Sequence, residues 1–587
     1  MDQTNDMSIL CPDRADTTNR AARNAAAAPI LIDGQTALST QQVFAIAQHR
    51  QPVALADGLA GRLKPSRDLL QRLVAERRRI YGVTTGYGPL ATSYIDPAQG
   101  RQLQRNLVYH LAAGVGEPLS ITATRALMTA RVSALAQGYS AISPALLERL
   151  VYCLNNDLIP VIPAKGTVGA SGDLTPLAHL ALALMGEGAF WQAGTPQPAA
   201  RTLHAHGLKP LVFDDKEAIA LVNGTAAMTG IAALNAERAR AALQLAMRTT
   251  LLHAEMAGGK REAWHPNLAK VRPHPGQCRV TGQLWQWSAA SAWLEPCPAV
   301  PPQLAHVGAG AETLAAHGVL EQQTLHQDRY SIRCAPQILG AIDDLIEQHA
   351  RTVDIELNSA TDNPLCFAED GMLLHGGNFQ GQQIAFASDQ LMLAVIQLAV
   401  LAERQLAHLT HPNLSPGLPP FLQPLQNGLN SGFMGAQVSA TALVAEMRAK
   451  AVPAAIQSIS TNGDNQDIVS MGTIAARRVA DLLDDLDALL AIQLLALAQA
   501  AEIKTGAITA QTTTGRRQTD RRQAALSADG RKPLAASSVC LIEAVRAQAA
   551  SLGPDRPLAP DIAAVQRAWQ ADPTKFADMN RFVQAAD

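Results

Sequence analysis

Runs of basic residues, CxxC pairs, bilayer-length apolar stretches and aromatic rings are scarce or missing in this chain. Each scarcity excludes something. Aromatic residues are 4% of the sequence and charged residues 17%, with a formal net charge of -2 at pH 7. Nucleic-acid binding needs a concentrated cationic surface, so that class of partner is not expected. The 7 cysteines are odd in number and scattered. That pattern suits neither a disulfide framework nor a zinc site, and reads as reduced thiols in a cytoplasmic protein without a metal. Residues 1–28 are polar and then Ala-rich, without the apolar core of an export signal, and read as a disordered leader. The most apolar run, 488–501 (ALLAIQLLALAQAA), is too short to span a bilayer and carries Gln493 and Gln499. It reads as a buried helix, and no membrane contact is expected.

What the chain has in quantity is hydrophobic residues, 48% of 587, with Ala and Leu abundant among them. Small and unbranched residues favour closely packed helices. Ser39 and Gln42 have the spacing of a capping box. Leu69, Leu70, Leu73 and Val74 form one stripe at helical period. Ser143-Pro144 joins an N-cap to a first-turn proline ahead of Leu146, Leu147, Leu150, Val151 and Leu154. Long helical patterns over 384–408, 436–450 and 473–503 are apolar on most faces. Such helices must be surrounded by others, from the same chain or from copies of it. Alternating segments are few, so strands should be short and peripheral. Stretches near 272–276, 294–310 and 411–420 read as loops, and 511–535 as a polar, Arg-rich connector. The expected class is all-α, in an oligomer.

One stretch does not fit a purely structural reading. In GTVGASGDLTPLAHL (166–180), four small residues, Gly169, Ala170, Ser171 and Gly172, precede Asp173, an acidic cap for a helix over 174–185. Seven other segments accompany it in order: YGVTTGYGPLA from Tyr81, LVNGT (221–225), QDRYSIRCAPQ (327–337), TDNP (361–364), HGGNFQG (375–381), NSGFMGAQV (430–438) and SISTNGDNQD (458–467). Together they resemble the aromatic amino acid ammonia-lyases, the histidine/phenylalanine/tyrosine ammonia-lyase superfamily, over roughly residues 30–580.

The resemblance implies a long central helix bundle with small peripheral β elements, of the fumarase/aspartase-like kind. It also implies a homotetramer whose active sites are shared between subunits. It divides the chain into the leader 1–28, a part 29–235 with the tyrosine loop and the small-residue segment, a central bundle 236–510 with the carboxylate-binding segment, and a helical region 511–587. It implies further that Ala170, Ser171 and Gly172 condense to 4-methylidene-imidazol-5-one (MIO): the Gly172 nitrogen attacks the Ala170 carbonyl, and two waters are lost, one of them carrying the Ser171 hydroxyl. That group is an electrophile built from backbone, which no standard side chain supplies. The dipole of the following helix would favour negative charge on its oxygen.

By motif match Tyr81, on the Gly-rich loop 82–88, is the base for the β-proton. An ordinary tyrosine pKa, near 10, would then favour alkaline activity. Asn223 and Tyr330 match groups that bond the imidazolone and the amine end of the substrate. Arg333 matches the arginine whose planar fork grips the substrate carboxylate. Gln337, Asn363 and Phe379 match residues lining the same cavity. His110-Leu111 stands where tyrosine ammonia-lyases have His-Leu, phenylalanine enzymes Phe-Leu and histidine enzymes Ser-His. Asn462 would add a polar contact to the ring hydroxyl. Gln466 replaces the acidic residue of the histidine enzymes. The implied reaction converts L-tyrosine to p-coumarate and ammonia, with L-DOPA to caffeate and L-phenylalanine to cinnamate beside it. A tyrosine 2,3-aminomutase, a histidine ammonia-lyase and an inactive helical scaffold stay open as alternatives. Tyr109 and the Trp- and Pro-rich stretch 278–325 depart from the family pattern.

Overall fold

A computed structural model describes residues 28–300, 318–319, 326–415, 417–508 and 532–576. The leader to residue 27, 301–310 of the expected Pro-rich loop and 511–531 of the connector lie outside the described residues.

Helices dominate, as the composition predicts. Those that matter for the site are α1 (Gly100–Leu111), α2 (Leu174–Leu184), α3 (Ala226–Ala257), α4 (Ala335–Leu357), α5 (Gln382–Thr410), α6 (Met434–Ala449) and α7 (Gly472–Lys504). The last three match the long patterns at 384–408, 436–450 and 473–503. Among the described residues the strands are two to four residues long, in four sheets of two or three strands. The hairpin Ala189–Gln192 with Thr195–Pro198 is typical of them.

Local sequence signals account for many helix starts. The Ser39 hydroxyl accepts the Gln42 amide while the Gln42 side chain accepts the Ser39 amide, the reciprocal capping box. Pro144 occupies the first turn of Pro144–Asn155. There Ser143 caps nothing with its side chain; its amide and hydroxyl donate to Glu217 instead. The stretch 272–276 is only partly a loop, because a helix starts at Pro275. There the proline sits in a first turn, where its missing N–H has no partner to lose.

The described chain forms two compact units. One comprises residues to 237 with 348–391 and 452–480, and the other 238–347, 392–451 and 481 onward. The first has a core that includes Val43, Ile46, Leu127, Leu147, Leu177 and Leu221. Buried Leu245, Leu251, Leu339, Leu406 and Leu489 belong to the second.

The run 488–501 is part of α7, which is 33 residues long. By length and composition α5 and α7 could each cross a membrane, so the shortness argument fails. Burial replaces it: in the most apolar window of each, 72% of α5 and 89% of α7 is buried inside the chain. Gln493 and Gln499 are fully buried and hydrogen-bonded within it. Because α7 is already enclosed by its own chain, its greasiness no longer argues for an oligomer.

Candidate active site

Backbone geometry explains three of the four small residues at 169–172. Gly169, Ser171 and Gly172 all have positive φ, +80°, +53° and +79°. For serine this left-handed conformation costs about 1–2 kcal/mol. A Cβ on Gly172 would stand 2.2 Å from the Gly224 carbonyl oxygen. Only glycine fits there, because the two backbones pair directly (the Asp173 amide donates to that same oxygen at 2.7 Å). Ala170 packs partly buried against Ala454, Val469, Met471 and Ala475.

Two expected side chains converge on Ser171. The Asn223 amide donates to the Ser171 carbonyl at 2.7 Å, and the Gln466 amide to its hydroxyl at 3.2 Å. Asn223 is held in turn by the Asn363 backbone N–H, 2.8 Å from its Oδ1, and the Asn363 Oδ1 accepts the Gly376 amide at 2.7 Å. Gln466 lies in a tight turn closed by paired Thr461 and Gln466 backbone bonds and by the Thr461 hydroxyl. Asn462, at the bend of that turn, is exposed with φ +54°.

Asp173 does something other than the expected capping. It stands at the N-cap of α2 without a side-chain bond to it. Its Oδ2 accepts the Met228 amide in the first turn of α3 at 2.8 Å, and its Oδ1 accepts the Thr473 hydroxyl at the start of α7. The carboxyl is fully buried, and desolvation raises its pKa to about 6. Behind it Arg131, also fully buried, donates to the Ala220 carbonyl, and desolvation lowers its pKa to about 10.

The Tyr81 loop rests on a small apolar cluster of Leu69, Leu70, Ile80, Val83, Ala141 and Cys366, so the expected helical stripe is also the base of the loop. The Tyr81 hydroxyl accepts the Gly88 amide at 2.9 Å, and the Tyr81 N–H donates to His375 Nε2 at 3.2 Å. Burial lowers the His375 pKa, which suits an imidazole that must accept. The Tyr87 ring lies between Tyr81, edge-on at 6.3 Å, and His110, tilted at 6.2 Å.

His110 is exposed in the last turn of α1, with Nδ1 3.0 Å from the Asn106 carbonyl oxygen. A carbonyl can only accept, so Nδ1 carries a proton, and whenever the ring is neutral Nε2 presents a lone pair. Leu111 packs on the main core. Tyr109 donates its hydroxyl to Glu187 at 2.6 Å and receives Arg105, an arrangement that ties it to the segment after α2.

In the second unit, Tyr330 and Arg333 form one short helix. The Arg333 guanidinium lies 4.9 Å from the Tyr330 ring centre, and its Nε donates to the Asp328 carbonyl at 3.2 Å. Buried groups hold the turn from beneath: Trp264 donates to the Ile332 carbonyl at 3.0 Å and Gln405 to the Ser331 carbonyl at 3.0 Å. Gln337 lies in the first turn of α4, its side-chain oxygen buried and without a hydrogen-bond partner among the described residues. Phe379, half-buried, precedes α5 in the first unit.

The structure thus brings together, in the first unit, Ala170–Gly172 with Asn223, Asn363 and Gln466, and Tyr81 with His110 through Tyr87. Sequence reasoning missed Gln104, His375, Arg131 and the buried Lys216–Asp362 pair. For Gln104 a signal existed: a glutamine in the apolar stripe with Leu107 and Val108. Among the described residues no group of His, Cys, Asp and Glu is arranged to hold a metal. His408 lies 3.1 Å from His253, ring nitrogen to ring nitrogen.

The sequence model of the family Aromatic amino acid lyase matches residues 38–524. A tyrosine ammonia-lyase of Cereibacter sphaeroides is 45% identical, over 90% of this chain and 95% of that protein. A tyrosine ammonia-lyase of Cupriavidus metallidurans is 43% identical, over 81% and 88%. The crystal structure of a tyrosine aminomutase from Streptomyces globisporus superposes with a TM-score of 0.83 at 36% identity, covering 94% of this chain and 98% of that one.

Proposed function

The chain belongs to the aromatic amino acid lyases, carbon–nitrogen lyases, and on that premise we propose that it eliminates ammonia from L-tyrosine to give p-coumarate. The observation that carries the substrate is the 3.0 Å contact of His110 Nδ1 with the Asn106 carbonyl oxygen. With Nδ1 donating to Asn106, Nε2 has no hydrogen bond among the described residues and in the neutral ring can accept one, and a para-hydroxyl can donate it. A phenyl ring without that hydroxyl leaves the lone pair unpaired.

Ala170, Ser171 and Gly172 fit the family's MIO group: their turn is tight, Gly172 has no room for a side chain, and Asn223 already donates to the Ser171 oxygen. When formed, the group supplies an electrophile for the substrate amine. The side chains divide the remaining work. Arg333, whose terminal nitrogens have no hydrogen bond among the described residues, offers two parallel donors to the carboxylate. Tyr81, its oxygen aimed by the Gly88 amide, takes the β-proton. Asn223 and Gln466 orient the Ser171 position, Asn363 holds Asn223, and Tyr330 stacks under Arg333. By the family resemblance Leu111, Gln337, Phe379 and Asn462 are the remaining candidates for contact with the substrate.

The functional form is a homotetramer with shared sites, working in the cytoplasm without a metal. Exposed Phe386 and Leu393 on α5 and Met434 and Val438 on α6 give it apolar surface for association. A 2,3-aminomutase is the second reading, favoured by the fold match to the Streptomyces enzyme. One assay separates the two. L-tyrosine, L-DOPA, L-phenylalanine and L-histidine are each incubated with the full chain, and the products are resolved by chromatography. p-Coumarate with equimolar ammonia is expected. A β-amino acid as the main product means the mutase, and turnover of histidine alone overturns the tyrosine assignment.

A further inference from the structure

Resting on the reading of Tyr81 as the base, we propose that Gln104 is a positioning residue that fixes the Tyr81 loop against the helix carrying His110. Its side chain is fully buried on α1, in the stripe with Leu107 and Val108. The carboxamide reaches three separate pieces of chain. Its Nε2 donates to the Gly82 carbonyl at 2.9 Å and to the Tyr87 hydroxyl at 3.3 Å. Its Oε1 accepts the Ile219 amide at 3.0 Å. An apolar residue of the same length would fill this volume, but only an amide serves a carbonyl, a hydroxyl and an N–H together.

The three partners are well placed for such a role. Gly82 follows Tyr81 directly, and a Cβ on it would stand 2.8 Å from both Ile219 and the Tyr87 ring, so the backbone there has no slack. Tyr87 is the ring between Tyr81 and His110. Ile219 belongs to the short helix Glu217–Val222, whose C-cap is Asn223, the residue bonded to Ser171. One side chain therefore ties the base, the ring-recognising histidine and the Ser171 donor to a common frame. Without it the Gly82 carbonyl loses its donor, and the start of the loop keeps the His375 contact, the bond from the Gly82 amide to the Thr85 hydroxyl and the apolar cluster below.

A displacement of the Tyr81 oxygen by about 1 Å is expected to slow proton abstraction by roughly a hundredfold. Binding of the carboxylate and amine does not run through Gln104, so kcat should fall while KM stays within about threefold. The test uses the full-length Gln104→Met protein with L-tyrosine and with tyrosine deuterated at Cβ. Supporting results are the fall in kcat, a larger primary isotope effect than the wild type, and an intact-protein mass still two waters below the sequence mass. Wild-type kcat, a loss carried by KM, an unchanged isotope effect or a lost mass deficit each overturns the proposal. Gln104→Glu keeps the acceptor for Ile219 and removes the amide donors, and gives the same readings if the methionine protein does not fold. Tyr81→Phe run alongside separates the two levels: if it keeps wild-type turnover, the base assignment fails whatever the Gln104 variants do.

Discussion

His110→Phe is the sharpest perturbation of the substrate assignment, and its size can be worked from the structure. The substitution removes the Nε2 acceptor and puts an apolar edge in its place. It leaves Asn106 satisfied, because the Asn106 carbonyl lies within α1, where the helix supplies its own donor. The loss is therefore confined to the ring hydroxyl. A hydrogen bond lost in a sealed pocket costs about 1–3 kcal/mol. His110 is exposed in the single chain, so the lower end applies to it, about 1 kcal/mol or roughly fivefold in kcat/KM for tyrosine. Phenylalanine gains apolar contact from the same change, so the tyrosine-to-phenylalanine ratio should swing by about tenfold or more. A larger swing would indicate that the site is closed over in the working enzyme. His110→Gln keeps an acceptor near the same place and should retain most of the tyrosine preference. The assay is kcat/KM for both amino acids on the three proteins. A ratio that moves less than about twofold in His110→Phe would show that His110 does not read the ring hydroxyl, and the reasoning from its tautomer would fall.

Three further outcomes follow from the geometry. Ser171→Ala should bring the intact mass up to the sequence mass and abolish nearly all turnover; an active variant at full sequence mass refutes the role of 170–172. Lys216→Met removes the ammonium bonded to buried Asp362 and leaves it the Ser140 hydroxyl, at a cost of about 3–5 kcal/mol, and the double change Lys216→Met/Asp362→Leu should recover much of that loss in urea unfolding. Burial raises the Asp173 carboxyl from 3.8 to about 6, so the folded chain holds that proton more tightly than the unfolded one. Its contribution to stability is then complete below about pH 4 and disappears as pH rises through about 6, and Asp173→Asn should remove up to about 3 kcal/mol of the stability difference between pH 4 and pH 7. A variant with the wild-type pH slope would show that Asp173 is not the group responsible.

The sequence by itself determined the helical class, because Ala- and Leu-rich stripes at helical period do not fit any other element. It also placed the long helices to within two residues at each end, and the Ser39–Gln42 box was readable because capping is a local event between residues three apart. The small-residue segment was legible for a similar reason: Gly169, Ser171 and Gly172 hold positive φ, which leaves few residue types. What only the tertiary structure decided is the destination of each polar side chain. Asp173 follows a turn and precedes a helix, so local logic makes it a cap for α2. Its carboxylate serves α3 and Thr473 instead, because those lie closer in space though more than 50 residues away in sequence. The same holds for Gln104, whose partners are 22, 17 and 115 residues distant. A glutamine in an apolar stripe announces that something must satisfy it, since a buried amide without partners is costly. Which groups do so depends on how the loop, α1 and the Glu217–Val222 helix pack, and that is set by long-range contacts no short window of sequence contains.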